Sequence, residues 1–313
     1  MNTIAVVIEE PERLVLSRLD LAPPGEDDVV VDVEWSGIST GTERLLWSGR
    51  MPHFPGMGYP LVPGYESVGR VASVGSRAGV DLGARVFVPG ARCFGDVRGL
   101  FGGAAARVVV PGHRVVPIDE GLGEQGTLLA LAATAYHAVS AAGATAPDLI
   151  VGHGILGRLL ARLALRDGGE PPVVWERNPA RATGAIGYRV LDPADDPRRD
   201  YRAIYDVSGD ASLLDGLIAR LARGGEIVLA GFYDQALSFA FPPAFMKEAR
   251  IRVASEWREH DLAAVHQLVR GGRLSLDGLI THRQEAMDAA EAYRTAFHDP
   301  ACLKMILDWR HCA

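Results

Sequence analysis

Residues Gly152-His153-Gly154-Ile155-Leu156-Gly157 spell GxGxxG directly after the apolar run Asp148 to Val151 and directly before an amphipathic stretch, ILGRLLARLALRDG. A strand, a tight turn and a helix in this order are the opening of a dinucleotide-binding βαβ unit. Gly152 would permit the turn, Gly154 would let the backbone approach a pyrophosphate, and Gly157 would let helix and strand pack closely. The helix start at Ile155 and Leu156 would turn free N–H groups and the positive dipole end toward the phosphates. A second apolar strand ends at Glu176, nineteen positions beyond Gly157, where such units place a carboxylate for the adenosine ribose hydroxyls. A carboxylate there repels a 2′-phosphate, so NAD is the expected cofactor. Arg177 and Arg181 stand close by and leave NADP open.

The pattern continues with AIYDVSG, SLLDGLIARLARGG and EIVLAGF, strands alternating with a helix. Such alternation predicts a Rossmann-type doubly wound parallel sheet. Its turns at Ser208-Gly209 and Gly231-Phe232 follow strand carboxyl ends and are expected to face the nicotinamide half. The first 120 residues differ: short β-like runs are punctuated by Gly and Pro, which predicts a compact, barrel-like β domain. The last apolar run, Leu303 to Trp309, resembles that opening region. The expected layout is therefore an α/β chain with a β-rich domain over 1–120, a NAD-binding domain over 121–270, and a return of 271–313 to the first domain.

Composition narrows the function classes. A net charge of −7 leaves no basic surplus for a phosphate backbone, so no nucleic-acid partner is expected. Cys93, Cys302 and Cys312 form no CxxC pair, which argues against a disulfide framework and a cysteine-rich zinc site and fits a reducing, cytoplasmic setting. The start MNTIAVVIEEPERL lacks the basic n-region of an export signal, and the Ala-rich run Leu128 to Ala146 is too interrupted for a membrane span. The 36 glycines among 313 residues exceed the roughly 7% of an average chain. They point to turn-rich β structure, a phosphate cradle, or both.

The order of a β-rich half, a helix bearing Thr134-Ala135-Tyr136-His137, a GxGxxG unit and a return strand resembles the medium-chain dehydrogenase/reductase superfamily. Pro63-Gly64-Tyr65-Glu66-Ser67-Val68-Gly69 is similar to its PGHExxG segment, and Gly37-Ile38-Ser39-Thr40-Gly41-Thr42-Glu43 to its GxCxxD segment. The departures fall on the zinc ligands: Ser39 stands for Cys, Tyr65 for His and Ala130 for the third ligand, while only Glu66 remains. A hydroxyl, a phenol and a methyl do not replace thiolates and an imidazole around Zn²⁺, so no catalytic zinc is expected. The four-cysteine structural lobe is also missing.

More narrowly, the strings from Val33 to Glu43, Phe54 to Glu66 and Cys93 to Gly103 resemble the bacteriochlorophyllide dehydrogenases of bacteriochlorophyll biosynthesis. The resemblance implies NAD-linked oxidation of a 3-(1-hydroxyethyl) group on a magnesium tetrapyrrole to 3-acetyl. It adds Thr134 to the cofactor set. Without zinc, hydrogen bonds and a base must manage the carbinol proton; Tyr65 is the expected acceptor or relay, Ser39 and Thr40 line the carbinol, and Glu66 orients the cluster. His53 and His137 are further candidates, for a relay or as an axial ligand to the substrate's Mg²⁺, with His137 expected to be a packing residue. Phe54, Met57, Tyr59, Phe94, Leu100 and Phe101 would wall a flat apolar cleft, and Arg50, Arg92 or Arg98 would meet the propionate. A zinc-free quinone or enoyl reductase and a noncatalytic pigment or nucleotide carrier are the alternatives. A homodimer is expected, joined through the strands around Glu226 to Gly231 and Arg250 to Ser255 at the sheet edge.

Overall fold

The computed structural model describes residues 1–312, which form two compact units. One comprises Met1–Ala130 and the chain from Leu279 onward; the other is Leu131–Gly278. The divisions fall at 130 and 278 rather than at 120 and 270. The 3-10 segment Glu120–Leu128 packs on the first unit's strands Asp28–Ile38, Ser67–Val74 and Arg85–Val88. The stretch before Gly278 is tied to the second unit by Arg162, which donates to the carbonyls of Ser275 and Asp277.

In the first unit the Val-rich strand Asp28–Ile38 is the hub, as its β-branched run favours. It pairs antiparallel with Ser67–Val74, with Arg107–Pro111, and with the C-terminal strand Met305–Asp308, where Met305 lies opposite Ile38 and Leu307 opposite Ser36. His282–Glu285, Arg85–Val88 and Val116–Pro117 complete this sheet. A smaller sheet runs Arg13–Asp20, Asn2–Glu10, Leu61–Val62, Arg98–Gly99. An Ala5–Ala105 bridge and a core containing Val7, Val31, Phe94, Val108, Tyr293 and Trp309 join the two.

The second unit is a six-stranded, wholly parallel sheet in the order Arg189–Leu191, Val173–Trp175, Leu149–Val151, Tyr201–Asp206, Leu221–Leu229, Arg250–Val253. Strand order reverses at Leu149–Val151, and the crevice at such a switch point is where open α/β sheets take ligands. Arg250–Val253 alone forms that edge of the sheet. Glu226 to Gly231, expected at the edge, belongs to the strand one place inside, because Arg250–Val253 adds parallel to it. Among the described residues no helix is long and apolar enough to cross a membrane.

Candidate active site

The GxGxxG turn has the local geometry its residues allow. Gly152 leaves the strand at φ +105°, a region closed to most side chains, and Gly154 caps the helix Ile155–Ala164. A Cβ at Gly157 would lie 1.9 Å from the Gly152 carbonyl oxygen, so only glycine lets helix and strand meet there. A Cβ at Gly154 would meet nothing within 4 Å, which leaves open space beside the helix N-terminus. Glu176 accepts the His153 N–H at 3.2 Å on one oxygen and the Asn178 N–H at 2.8 Å on the other. The main chain thus aims the carboxylate, and each oxygen keeps a lone pair for a diol. These residues fit a nicotinamide dinucleotide.

The other expected cofactor residues are less uniform. Gly209 adopts φ +71° in the turn after Tyr201–Asp206, and Gly231 packs against it. The Ser208 hydroxyl donates to the buried Asp206 carboxylate at 2.6 Å, as does its N–H at 2.9 Å, so Ser208 shapes the turn. Phe232 is exposed, and Arg177 is exposed and lies 3.7 Å from Asp210. Thr134 and His137 are half-buried on the helix Leu129–Ser140; His137 Nδ1 meets Asp261 Oδ2 at 2.8 Å, a packing role.

In the first unit, residues far apart in sequence meet in a buried polar cluster. Ser39 follows the strand Asp28–Ile38, Glu43 opens the helix Thr42–Trp47, Tyr65 and Glu66 precede Ser67–Val74, and Lys304 precedes Met305–Asp308. The Tyr65 hydroxyl donates to Ser39 Oγ at 2.7 Å, with the Thr42 hydroxyl beside the phenol. Burial, then the Glu66 carboxylate, push the phenol well above the ordinary tyrosine range, so it works as a donor rather than a stored phenolate. Lys304 Nζ donates to Glu66 Oε2 at 2.6 Å and to the Ile38 carbonyl at 3.1 Å, both side chains being fully enclosed. Glu66 Oε1 has no hydrogen-bond partner among the described residues. Glu43 accepts the Ser39 N–H at 3.0 Å and the Tyr293 hydroxyl at 2.6 Å, and burial pushes its carboxyl up to about 7. Thr40 is half-buried next to Ser39 in the chain.

Glu43, Tyr293 and Lys304 escaped the reading of the sequence. Lys304 did carry a signal, being one of only two lysines in the chain and set in the apolar run CLKMILDW. Its partner lies 238 positions away and is brought near by the Met305–Ile38 pairing.

Beside Tyr65 lies an apolar cluster. Phe54, Met57, Tyr59, Leu100 and Phe101 pack on Ile8, Leu46, Met51 and Leu61. The Tyr59 hydroxyl donates to the Leu46 carbonyl. Phe101 holds φ +59°, costly for a bulky residue, and sets its ring edge-on to Tyr65 at 5.1 Å. Arg98 donates to the Tyr59 carbonyl at 3.1 Å, and His53 is exposed on the neighbouring loop. Phe94 does not join this wall: it is 4% exposed within the core of the β-rich unit, packed with the strand residues around it. Arg92 is exposed. Ser39, Tyr65 and Ala130 offer no nitrogen or sulfur donor, and among the described residues no group of three His, Cys, Asp or Glu is placed to hold a metal ion.

With this geometry in hand, comparison with known proteins places it among dehydrogenases. Residues 25–120 match the alcohol dehydrogenase GroES-like domain. The chain is 60% identical over 311 residues to the 2-desacetyl-2-hydroxyethyl bacteriochlorophyllide A dehydrogenase of Rhodobacter capsulatus, covering 99% of each chain. It is 58% identical over 318 residues to the protein of the same name from Cereibacter sphaeroides, covering 100% of each. The 2R,3R-butanediol dehydrogenase of Bacillus subtilis shares the fold with a TM-score of 0.83 at 20% identity, over 98% of this chain and 99% of that one.

Proposed function

The chain belongs to the family of 2-desacetyl-2-hydroxyethyl bacteriochlorophyllide A dehydrogenases, and from that membership we propose that it oxidises the hydroxyethyl group of a bacteriochlorophyllide, or the related chlorophyllide, to acetyl. The observation that carries this reading is 60% identity across 99% of both chains. The cofactor is a nicotinamide dinucleotide, which takes the hydride released as the carbinol C–H bond breaks. Glu176 favours NAD, because its carboxylate, held by two main-chain N–H groups, would face the extra phosphate of NADP.

The reaction proceeds in the cytoplasm and without zinc, since Ser39, Tyr65 and Ala130 do not supply zinc donors. Ser39 Oγ, already accepting from Tyr65, meets the substrate oxygen. As hydride departs, the carbinol proton passes through the Ser39 hydroxyl to solvent water, while Tyr65 keeps its own proton and steadies the exchange by donating to Ser39 Oγ. Phe101, Phe54 and Met57 cover the macrocycle, whose conjugation stabilises the developing carbonyl, and Arg98 meets the propionate.

Incubation with hydroxyethyl bacteriochlorophyllide and NAD⁺ is expected to red-shift the long-wavelength absorbance while NADH appears. Ser39→Ala and Tyr65→Phe are each expected to lower kcat about 10²-fold with NADH binding unchanged. Pigment binding without NADH formation would mean a carrier, and full turnover by both variants would remove the hydroxyl pair from the mechanism.

A second copy of the chain pairs along the edge strand Arg250–Val253. Val253 is 73% exposed there, and Phe241, Phe245 and Met246 are exposed on the helix Phe241–Lys247 of the same unit. Sedimentation at micromolar concentration is expected to report a dimer that Val253→Lys dissociates. A monomeric wild type would overturn the pairing.

A further inference from the structure

Arg158, the residue after the third glycine of GxGxxG, is 4% exposed, yet no carboxylate bonds to it among the described residues. Its guanidinium is spent on main-chain carbonyls. Nε donates to His153 at 3.1 Å, and Nη2 donates to Arg181 at 3.0 Å and Thr183 at 2.7 Å. These carbonyls belong to the dinucleotide turn itself and to the loop that follows Glu176. His153, wholly buried, grips the same loop: its Nδ1–H donates to the Arg181 carbonyl at 2.6 Å, its Nε2 accepts from the Tyr188 hydroxyl at 2.8 Å, and its N–H holds Glu176. That pairing needs a neutral ring, and burial lowers the imidazole to about 4.

A cation buried in the first turn of a helix opposes the helix dipole and is costly without a counter-charge. Hydrophobic residues would pack this turn at less cost, so the guanidinium has a task that packing does not explain. The carbonyls it holds lie on both sides of Glu176 in the chain, and Tyr188 and then the Glu176 carboxylate favour its charge against the cost of burial.

We propose that Arg158 is a positioning residue for cofactor specificity, holding the turn at His153 and the loop Asn178 to Gly184 so that Glu176 is fixed for the ribose diol of a dinucleotide. The proposal rests on the reading that this turn binds NAD. Without the guanidinium fork, the loop loses two anchors and the turn one, Glu176 loses its fixed aim, and the discrimination against a 2′-phosphate weakens.

The test is fluorescence titration of the purified chain with NADH and with NADPH, alongside its melting temperature. Wild type is expected to bind NADH more tightly; no preference, or no binding, would sink the NAD reading itself. Given that preference, Arg158→Met is expected to raise the NADH Kd at least tenfold and to shrink the preference ratio, Kd for NADPH over Kd for NADH, at least fivefold. Gly184→Ala provides a variant on the exposed loop that leaves the core intact, because its Cβ would lie 2.6 Å from Arg158 Nη1 and alanine at φ +78° strains the loop backbone that the guanidinium holds. It is expected to shrink the ratio in the same direction. A merely structural arginine would lower the melting temperature and leave the ratio alone. A ratio within twofold of wild type in Gly184→Ala, or in a folded Arg158→Met, overturns the proposal.

Discussion

Replacing Lys304 by methionine is expected to cost about 3–5 kcal/mol of folding stability, because it strands the Glu66 carboxylate in a fully enclosed site. Lys304 and Glu66 are 1% and 0% exposed, and the ammonium is the partner that balances the carboxylate at 2.6 Å. Glu66 is already short of one partner, at Oε1, so nothing nearby can take over. Such a pair need not be a net stabiliser. Desolvating two charges offsets most of their attraction, and removing both together is often close to neutral. Lys304→Met with Glu66→Met is therefore expected to recover most of what the single change loses. Urea unfolding of the two variants and wild type, compared at constant slope, measures both quantities. A single-variant cost below about 1 kcal/mol would mean that the pair is open to water, as for surface ion pairs.

That pair also shows what a sequence can and cannot disclose. The dinucleotide turn was readable because its chemistry is contiguous: strand, three glycines, helix and acidic residue fall between Asp148 and Glu176, and each glycine answers a local need. The order of strands in a sheet is not local. Glu226 to Gly231 looked like an edge, yet one further parallel strand covers it. Nor can composition distinguish two similar aromatic residues in one Gly-rich stretch. Phe94 and Phe101 lie seven positions apart in the run CFGDVRGLFGG, but Phe94 turns into the core while Phe101, at φ +59°, meets Tyr65. Ser39 and Tyr65 were marked by the resemblance of their segments to the GxCxxD and PGHExxG motifs of the zinc enzymes. The charges that lie beneath them were not, because Glu43, Tyr293 and Lys304 come together only through the return of the C-terminal strand and helix.

Wild type is expected to lose stability as pH rises from about 5 to 8, and Glu43→Gln is expected to remove most of that slope. Glu43 lies in the same interior as Glu66 and Lys304, so two carboxylates share one ammonium there. With Glu43 protonated the three groups sum to zero; with it ionised they carry one unbalanced negative charge in a dry interior. Burial is the largest cause of its rise from 4.5 to about 7; the Tyr293 hydroxyl and the Ser39 N–H oppose it, Glu66 reinforces it and Lys304 opposes it. Because the folded-state value is the higher one, between these two pH values the folded chain holds a proton that the unfolded chain has released. Stability therefore falls through this window, by about 3 kcal/mol once pH passes 7. Glutamine stays neutral and still offers an oxygen to the Tyr293 hydroxyl, so its unfolding free energy should change less between pH 5 and 8. Parallel urea titrations at those two pH values read the difference. Equal slopes in the two proteins would show that Glu43 keeps its charge when folded, and that the hydrogen bond holding Ser39 in place does not depend on a proton.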